Sequence, residues 1–178
     1  MKQAIAKIYA KNKREVKISW EEVERATLRI VHAMQRDNYK PDIIISLARS
    51  GLIPAAMISY TLGNKQLYFI KAELTKTQRS GKDQDFLSRP VLTQRIKRSL
   101  KNHRLLVVDE MTVSGATLEL VSEYLKTKKP KQVKYAVLFK QPWSHFKPDY
   151  FGKVLKDWPL YPWKDLRNNI RDPRSLIK

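Results

Sequence analysis

Short apolar runs separated by helical stretches limit this chain to very few folds. Ile43-Ile44-Ile45, Arg104-Leu105-Leu106-Val107-Val108 and Val133 to Phe139 are each only a few residues long. Runs of that length, with little polar alternation, read as strands covered on both faces, as in a parallel sheet. Gln66 to Ala72 reads as a further strand. Ser19-Trp20-Glu21-Glu22 carries the S-x-x-E capping pattern, and Trp20, Val23, Ile30, Val31 and Met34 follow at helical spacing. That predicts a helix from Trp20 to about Gln35. Leu52 to Leu62 reads as an apolar helix with Pro54 in its first turn and Gly63-Asn64 at its end, and Ala116 to Leu125 as another. Strand and helix alternate, so the expected class is α/β, a largely parallel sheet flanked by helices. The stretch from Lys140 to Lys178, rich in Pro and Trp, is expected to be irregular.

With 178 residues and neither repeat nor Gly/Ser linker, the chain is expected to form one domain, residues 1–178. No apolar run approaches the ~20 residues of a membrane-spanning helix, and the N-terminus lacks the apolar centre of a signal peptide. The chain has no cysteine, which excludes disulfide frameworks, thiolate metal sites and a cysteine nucleophile. His32, His103 and His145 share no metal-ligand spacing and read as structural or solvated. A cytoplasmic protein with no membrane partner is expected. The distinctive quantity is charge: 36 Lys and Arg against 17 Asp and Glu, a net +19. Such a field attracts polyanions, whether nucleic acid, membrane surface or a phosphate-rich small molecule. The choice falls to the motifs.

Asp109-Glu110 end the Arg104–Val108 strand and are followed by Met111-Thr112-Val113-Ser114-Gly115-Ala116-Thr117 at the start of a helix. Ligands of open α/β sheets bind at the carboxyl ends of strands. A loop of small and hydroxyl residues at a helix N-terminus presents backbone N–H groups suited to phosphate. Two adjacent carboxylates beside it suit sugar hydroxyls or a magnesium ion. Taken alone, the same loop also fits an ordinary capping turn after a core strand.

Three segments in chain order carry a resemblance. VVDEMTVSGATLEL resembles the signature of type I phosphoribosyltransferases, and SLARSGLIPAAMISYTLG resembles their pyrophosphate loop. FKQPWSHFKPDYFGKVLKDWPLYPW resembles the purine-recognition segment of the hypoxanthine-guanine and xanthine-guanine members. The resemblance implies the type I phosphoribosyltransferase fold with a purine-recognition hood. It also implies purine salvage: magnesium-dependent transfer of 5-phosphoribosyl from phosphoribosyl pyrophosphate (PRPP) to hypoxanthine, guanine or xanthine. The products would be a nucleoside 5′-monophosphate and pyrophosphate, and relatives are commonly homodimers or homotetramers.

Carried over, Asp109 and Glu110 hold the ribose hydroxyls, directly or through the metal. Ser114, Gly115, Ala116 and Thr117, with the Val113 backbone, wrap the 5′-phosphate. Arg49, with the Ala48 and Ser50 backbone, binds pyrophosphate in a loop that in relatives often holds a non-proline cis peptide. Lys140 donates to the purine O6, Trp158 stacks on the base, and the Pro159 backbone faces its edge. The polar stretch from Thr75 to Pro90 lies where relatives carry a mobile lid. The catalytic set is then Asp109, Glu110 and Arg49.

Two positions depart from the family pattern. The usual acid before Ser-Gly-x-Thr, placed near purine N7 as a general base, is Val113 here. An acid some relatives use for a second metal aligns with Lys164. Alternatives on the same fold are a PRPP-sensing regulatory or RNA-binding protein, and transfer to another acceptor. A helix-turn-helix is not evident, and nucleic acid is not required by the leading reading. Lys2 to Lys17 and Lys126 to Lys134 are expected to lie outside the pocket.

Overall fold

Helix boundaries follow the local chemistry of the chain. In the computed structural model, which describes residues 14–74 and 90–164, Ser19 Oγ accepts from the Glu22 N–H while Glu22 Oε2 accepts from the Ser19 N–H. This capping box starts α1 (Trp20–Arg36). Val23, Ala26, Thr27, Ile30, Val31 and Met34 form its buried stripe, at the spacing of one helical face. Trp20 departs from that stripe: at the first turn it points outward, 54% exposed, and leans on Trp163 with ring centroids 5.7 Å apart. α2 (Leu52–Leu62) ends at Gly63 in the left-handed conformation, and α3 (Ala116–Lys126) follows the Ser114-Gly115 turn.

The strands are β1 (Glu15–Lys17), β2 (Ile43–Ala48), β3 (Leu67–Leu74), β4 (Pro90–Gln94), β5 (Arg104–Thr112), β6 (Gln132–Lys140), β7 (Tyr150–Val154) and β8 (Trp158–Leu160). The main sheet has the order β4-β3-β2-β5-β6-β7, parallel throughout except for β4 on its edge. α1 and α2 cover one face, with Ile30, Met34 and Ile58 packed around Ile44, Leu106 and Leu138. α3 covers the other, with Leu118, Val121 and Leu125 against Ile45, Val107 and Val137. Both faces of β2, β5 and β6 are therefore apolar, which is why their sequences run without alternation. Among the described residues no helix is long and apolar enough to cross a membrane.

Three expectations need correction. The segment after Lys140 is not irregular throughout, because it contains β7, which completes the sheet beside β6, and β8. β8 pairs in parallel with β1, so Glu15 to Lys17 do not stand apart from the proposed purine segment but form a small sheet with it. Neither strand shows the apolar run of a central strand, since β7 sits at an edge and β1–β8 form a separate pair. β5 does not stop at Asp109-Glu110 but continues to Thr112, its ladder with β6 holding as far as Thr112 and Lys140. Residues 75–89 of the expected lid, and residues 1–13 and 165–178, lie outside the described residues.

Asp42 fastens the two central strands at their amino ends. Its Oδ2 accepts from the Arg104 backbone N–H at 2.7 Å, its Oδ1 from the Arg104 guanidinium at 2.8 Å, and its own N–H donates to Arg104 O at 2.8 Å. The Arg104 side chain, then its backbone, holds the Asp42 carboxyl down to about 2 from an ordinary 3.8. A depressed carboxyl stabilises the fold above its unfolded value and loses that contribution as pH falls towards the folded value. Both side chains are more than a third exposed (35% for Asp42 and 38% for Arg104), so solvent screens the pair. Asp42→Asn is expected to be less stable than the parent at neutral pH, with the gap narrowing from about pH 4 to about pH 2. Urea midpoints across that range measure it; a constant gap would contradict an ionic origin.

Candidate active site

Adjacent parallel strands deliver their following loops to one edge of the sheet, and β2, β5 and β6 are adjacent. After β2 the Ala48–Arg49 peptide is cis, as the resemblance implied for a pyrophosphate loop. Gly51 lies against β5 so closely that an added Cβ would sit 2.5 Å from Val108 O and 3.1 Å from the Asp109 Cα. The first loop is thereby pressed onto the strand that carries the acids. Arg49 is exposed and its charge reaches Glu73 of β3, whose carboxyl is lowered first by Lys71, 2.7 Å away.

After β5, Val113, Ser114 and Gly115 turn the chain into α3. Gly115, the N-cap residue, has φ +98 and no side chain to cap the helix, whose N-terminus faces the turn with its positive dipole end. Ser114 Oγ accepts from the Ala116 N–H at 3.3 Å. Behind the turn stands the segment after β6. The Gln141 N–H donates to Thr112 O (3.0 Å), the Thr112 and Ser144 hydroxyls are 2.9 Å apart, and the His145 N–H donates to Ser114 O (3.1 Å). Phe146 closes the space beside Gly115, leaving a Cβ there only 2.5 Å from Phe146 Cβ. His145 Nε2 also lies 2.9 Å from Glu119 Oε1 on α3. The buttress role of residues 141–146 was missed from sequence, and only the bulk of Trp143 and Phe146 after a strand hinted at a packed segment.

Lys140 is the last residue of β6, paired against Thr112 across the ladder, and its ammonium lies 5.5 Å from the Phe151 ring centroid. Its carbonyl accepts from the Leu155 N–H at 2.9 Å. Gln141 is buried, and its Nε2 donates to the carbonyl of Asp157, the residue before Trp158, at 3.1 Å. The Trp158 N–H donates to Arg14 O at 2.8 Å, so the strand carrying Trp158 and Pro159 is held from both sides.

The acids occupy the centre. Asp109 Oδ1 accepts from the Glu110 N–H at 2.8 Å. Burial first, then the neighbouring Glu110 charge, push the Asp109 carboxyl up to about 8. Glu110 is 8% exposed, with Oε1 2.5 Å from Lys164 Nζ and Oε2 buried without a hydrogen-bond partner. The Tyr161 hydroxyl donates to the Glu110 carbonyl at 3.2 Å, and Tyr161 stacks on Trp163 at 4.5 Å. Tyr161 and Trp163 are thus packing residues. Lys164 was read from sequence only as a departure from a pattern; its pairing with Glu110 joins residues 54 positions apart and has no local signature.

A family model described as the phosphoribosyl transferase domain matches residues 15–164. The chain belongs to that family. It is 26% identical over 152 residues to a xanthine-guanine phosphoribosyltransferase of Idiomarina loihiensis, covering 84% of this chain and 87% of the relative. Its fold superposes on a purine phosphoribosyltransferase from Pyrococcus horikoshii with a TM-score of 0.73 and 33% identity, over 84% and 93% of the two chains. A xanthine-guanine-hypoxanthine phosphoribosyltransferase from Helicobacter pylori gives 0.73 at 26% identity, over 89% and 100%.

Magnesium, implied by the family, can be tested against the donors present. Among the described residues no three or more His, Cys, Asp or Glu side chains form a metal cluster. The acid pair, with one Glu110 oxygen unpartnered, fits a hard cation that keeps waters and substrate oxygens for most of its shell.

Gly115 and Gly63 allow the phosphoribosyltransferase turn to be tested with an internal control. Both have positive φ, but a Cβ at Gly63 meets nothing within 4 Å, whereas at Gly115 it meets Phe146. Gly63→Ala is expected to cost about 1 kcal/mol from backbone strain alone. Gly115→Ala adds an overpacking cost of roughly 1–3 kcal/mol. Thermal melts of the two variants check both, and equal losses would show that Phe146 does not confine the turn.

Proposed function

We propose that this chain transfers 5-phosphoribosyl from PRPP to a 6-oxopurine, hypoxanthine, guanine or xanthine, in purine salvage. One observation carries the reading: the Thr112–Gln141 hydrogen bond and the Thr112–Lys140 pairing couple the phosphate turn to the residue assigned to the base. A protein sensing PRPP alone has no need of that coupling. The Gln141–Asp157 bond extends it to the strand of Trp158 and Pro159.

In this reading Ser114, Gly115, Ala116 and Thr117, with the Val113 backbone, cradle the 5′-phosphate at the α3 N-terminus. Asp109 and Glu110 receive the ribose hydroxyls, and Arg49 with the Ala48 and Ser50 backbone receives pyrophosphate. Lys140, donor-only, selects an oxo group over an amino group at purine position 6. Trp158 stacks on the base, and Pro159 presents backbone to its edge. As the C1′–pyrophosphate bond breaks, positive charge grows on ribose and negative charge on the leaving group. Arg49 stabilises that anion, and the fixed base is held in line to attack C1′. Magnesium, when bound at Asp109 and Glu110, would supply further neutralisation of the anion.

Val113 has no proton acceptor, so loss of the base's ring proton relies on water, another group or the purine anion already formed in solution. A homodimer or homotetramer is part of the proposal. Its support is α2, apolar around its girth yet leaving Leu52 and Tyr60 exposed at 40% and 89%.

Purified protein incubated with PRPP, magnesium and each purine in turn is expected to form nucleotide with the oxopurines and not with adenine; no nucleotide from any purine would overturn the reading. Lys140→Gln is expected to lower kcat/KM for oxopurines by roughly 10- to 100-fold, the value of a hydrogen bond to a charged group. The wild-type rate should rise with pH towards the purine pKa. Val113→Asp should flatten that profile and raise the low-pH rate by about 10²-fold or more. Identical profiles would exclude position 113 from proton transfer.

A further inference from the structure

The two oxygens of Glu110 differ. Oε2 is buried and unpartnered, while Oε1 is taken by Lys164. The lysine is not a loose surface cation that fell onto a carboxylate. Its N–H donates to Tyr161 O at 2.9 Å, and its ammonium stands 4.9 Å from the Tyr161 ring centroid. Tyr161 in turn hydrogen-bonds the Glu110 carbonyl and is clamped by Trp163 and Phe139, at centroid distances of 4.5 and 5.9 Å. Both ends of the ion pair are therefore held by one residue, and the Glu110 side chain is only 11% exposed. The carboxylate best placed for a divalent cation already has a cation attached to the chain.

A divalent ion approaching Glu110 must displace that ammonium or sit beside it. Either route costs Coulomb energy, which solvent at the 34% exposed Lys164 side chain reduces and the burial of the Glu110 side chain preserves. A pyrophosphorylated substrate changes the balance, since its oxygens provide the ammonium with another partner and the metal with further ligands. We infer that Lys164 is a positioning residue that reserves Glu110, keeping divalent cations off the carboxylate until PRPP arrives, so that metal and substrate enter together. The inference rests on the proposed phosphoribosyl transfer for the identity of the substrate, but its first test needs only the protein.

Binding of Mn²⁺ to the full-length, substrate-free protein, followed by the electron paramagnetic resonance of free Mn²⁺, reads the reservation directly. Lys164→Gln is expected to bind Mn²⁺ at least about tenfold more tightly than the parent, and Lys164→Arg to remain like the parent. Lys164→Met, which keeps the stem over Tyr161, serves if the glutamine variant does not fold. Adding Glu110→Gln to the neutral variant should abolish the gain. Affinity within twofold of the parent in the neutral variant, or a gain that survives Glu110→Gln, overturns the inference. PRPP should tighten Mn²⁺ binding more in the parent than in Lys164→Gln, and equal tightening overturns the coupling to substrate. Failure to form nucleotide in the purine assay would sink the proposed function while the substrate-free comparison still decides whether Lys164 guards Glu110.

Discussion

Parallel pairing of β2, β5 and β6 is the constraint on which the rest depends. Three neighbouring strands running the same way must each return through a connection, and all three connections leave from the same edge. The chain uses the first two for short turns into helices and the third for residues 141–146, which fold back over the second turn. Gly51 fits only because it lacks a Cβ, and Gly115 both for that reason and for its φ. The crowding is a consequence of strand adjacency, and together with the Phe146 side chain and the Thr112–Ser144 hydroxyl contact it holds the turn before α3 in place.

Glu110 is where the sheet and the hood meet. Its backbone belongs to β5, its carbonyl accepts from Tyr161 and its carboxylate holds Lys164. The hood is further tied down by Gln141 at Asp157 and by β1 alongside β8. The opposite edge of the sheet is also pinned by charge. Lys134 lies 3.3 Å from Asp149 and 3.9 Å from Asp37, between the rings of Tyr39 and Tyr150, and Arg104 grips Asp42. Some of the basic excess is thus committed to holding strand ends rather than to attracting ligands.

What could be read in advance divides by the range of the interaction. The central strands, the three helices and the capping box at Ser19 and Glu22 are written in local periodicity and cap chemistry, and they appear within a few residues of where the pattern puts them. β5 ran further than expected because its last residues, Asp109, Glu110, Met111 and Thr112, are held by the β6 ladder rather than by a continuous apolar run. β7 and β8 escaped notice because an edge strand and a two-stranded pair bury too little to need a continuous apolar run. The turn before α3 was legible because small residues with a glycine among them mark a helix start. The Lys164–Glu110 pair was not, because long-range ion pairs impose no spacing.

The two departures from the family pattern act in the same electrical direction. Val113 stands where an acid is usual, and Lys164 stands where some relatives place another, so the site is more positive than the resemblance implies. Within the proposed reaction both changes favour anions: PRPP on entry, pyrophosphate on departure, and the deprotonated form of an oxopurine over the neutral one. A general base lowers the barrier by accepting a proton in the transition state, whereas a positive site lowers it by selecting a base that has already lost one. The valine and the lysine are then consistent with each other, since a site that concentrates the purine anion has less need of a carboxylate at position 113, and a carboxylate there would repel it.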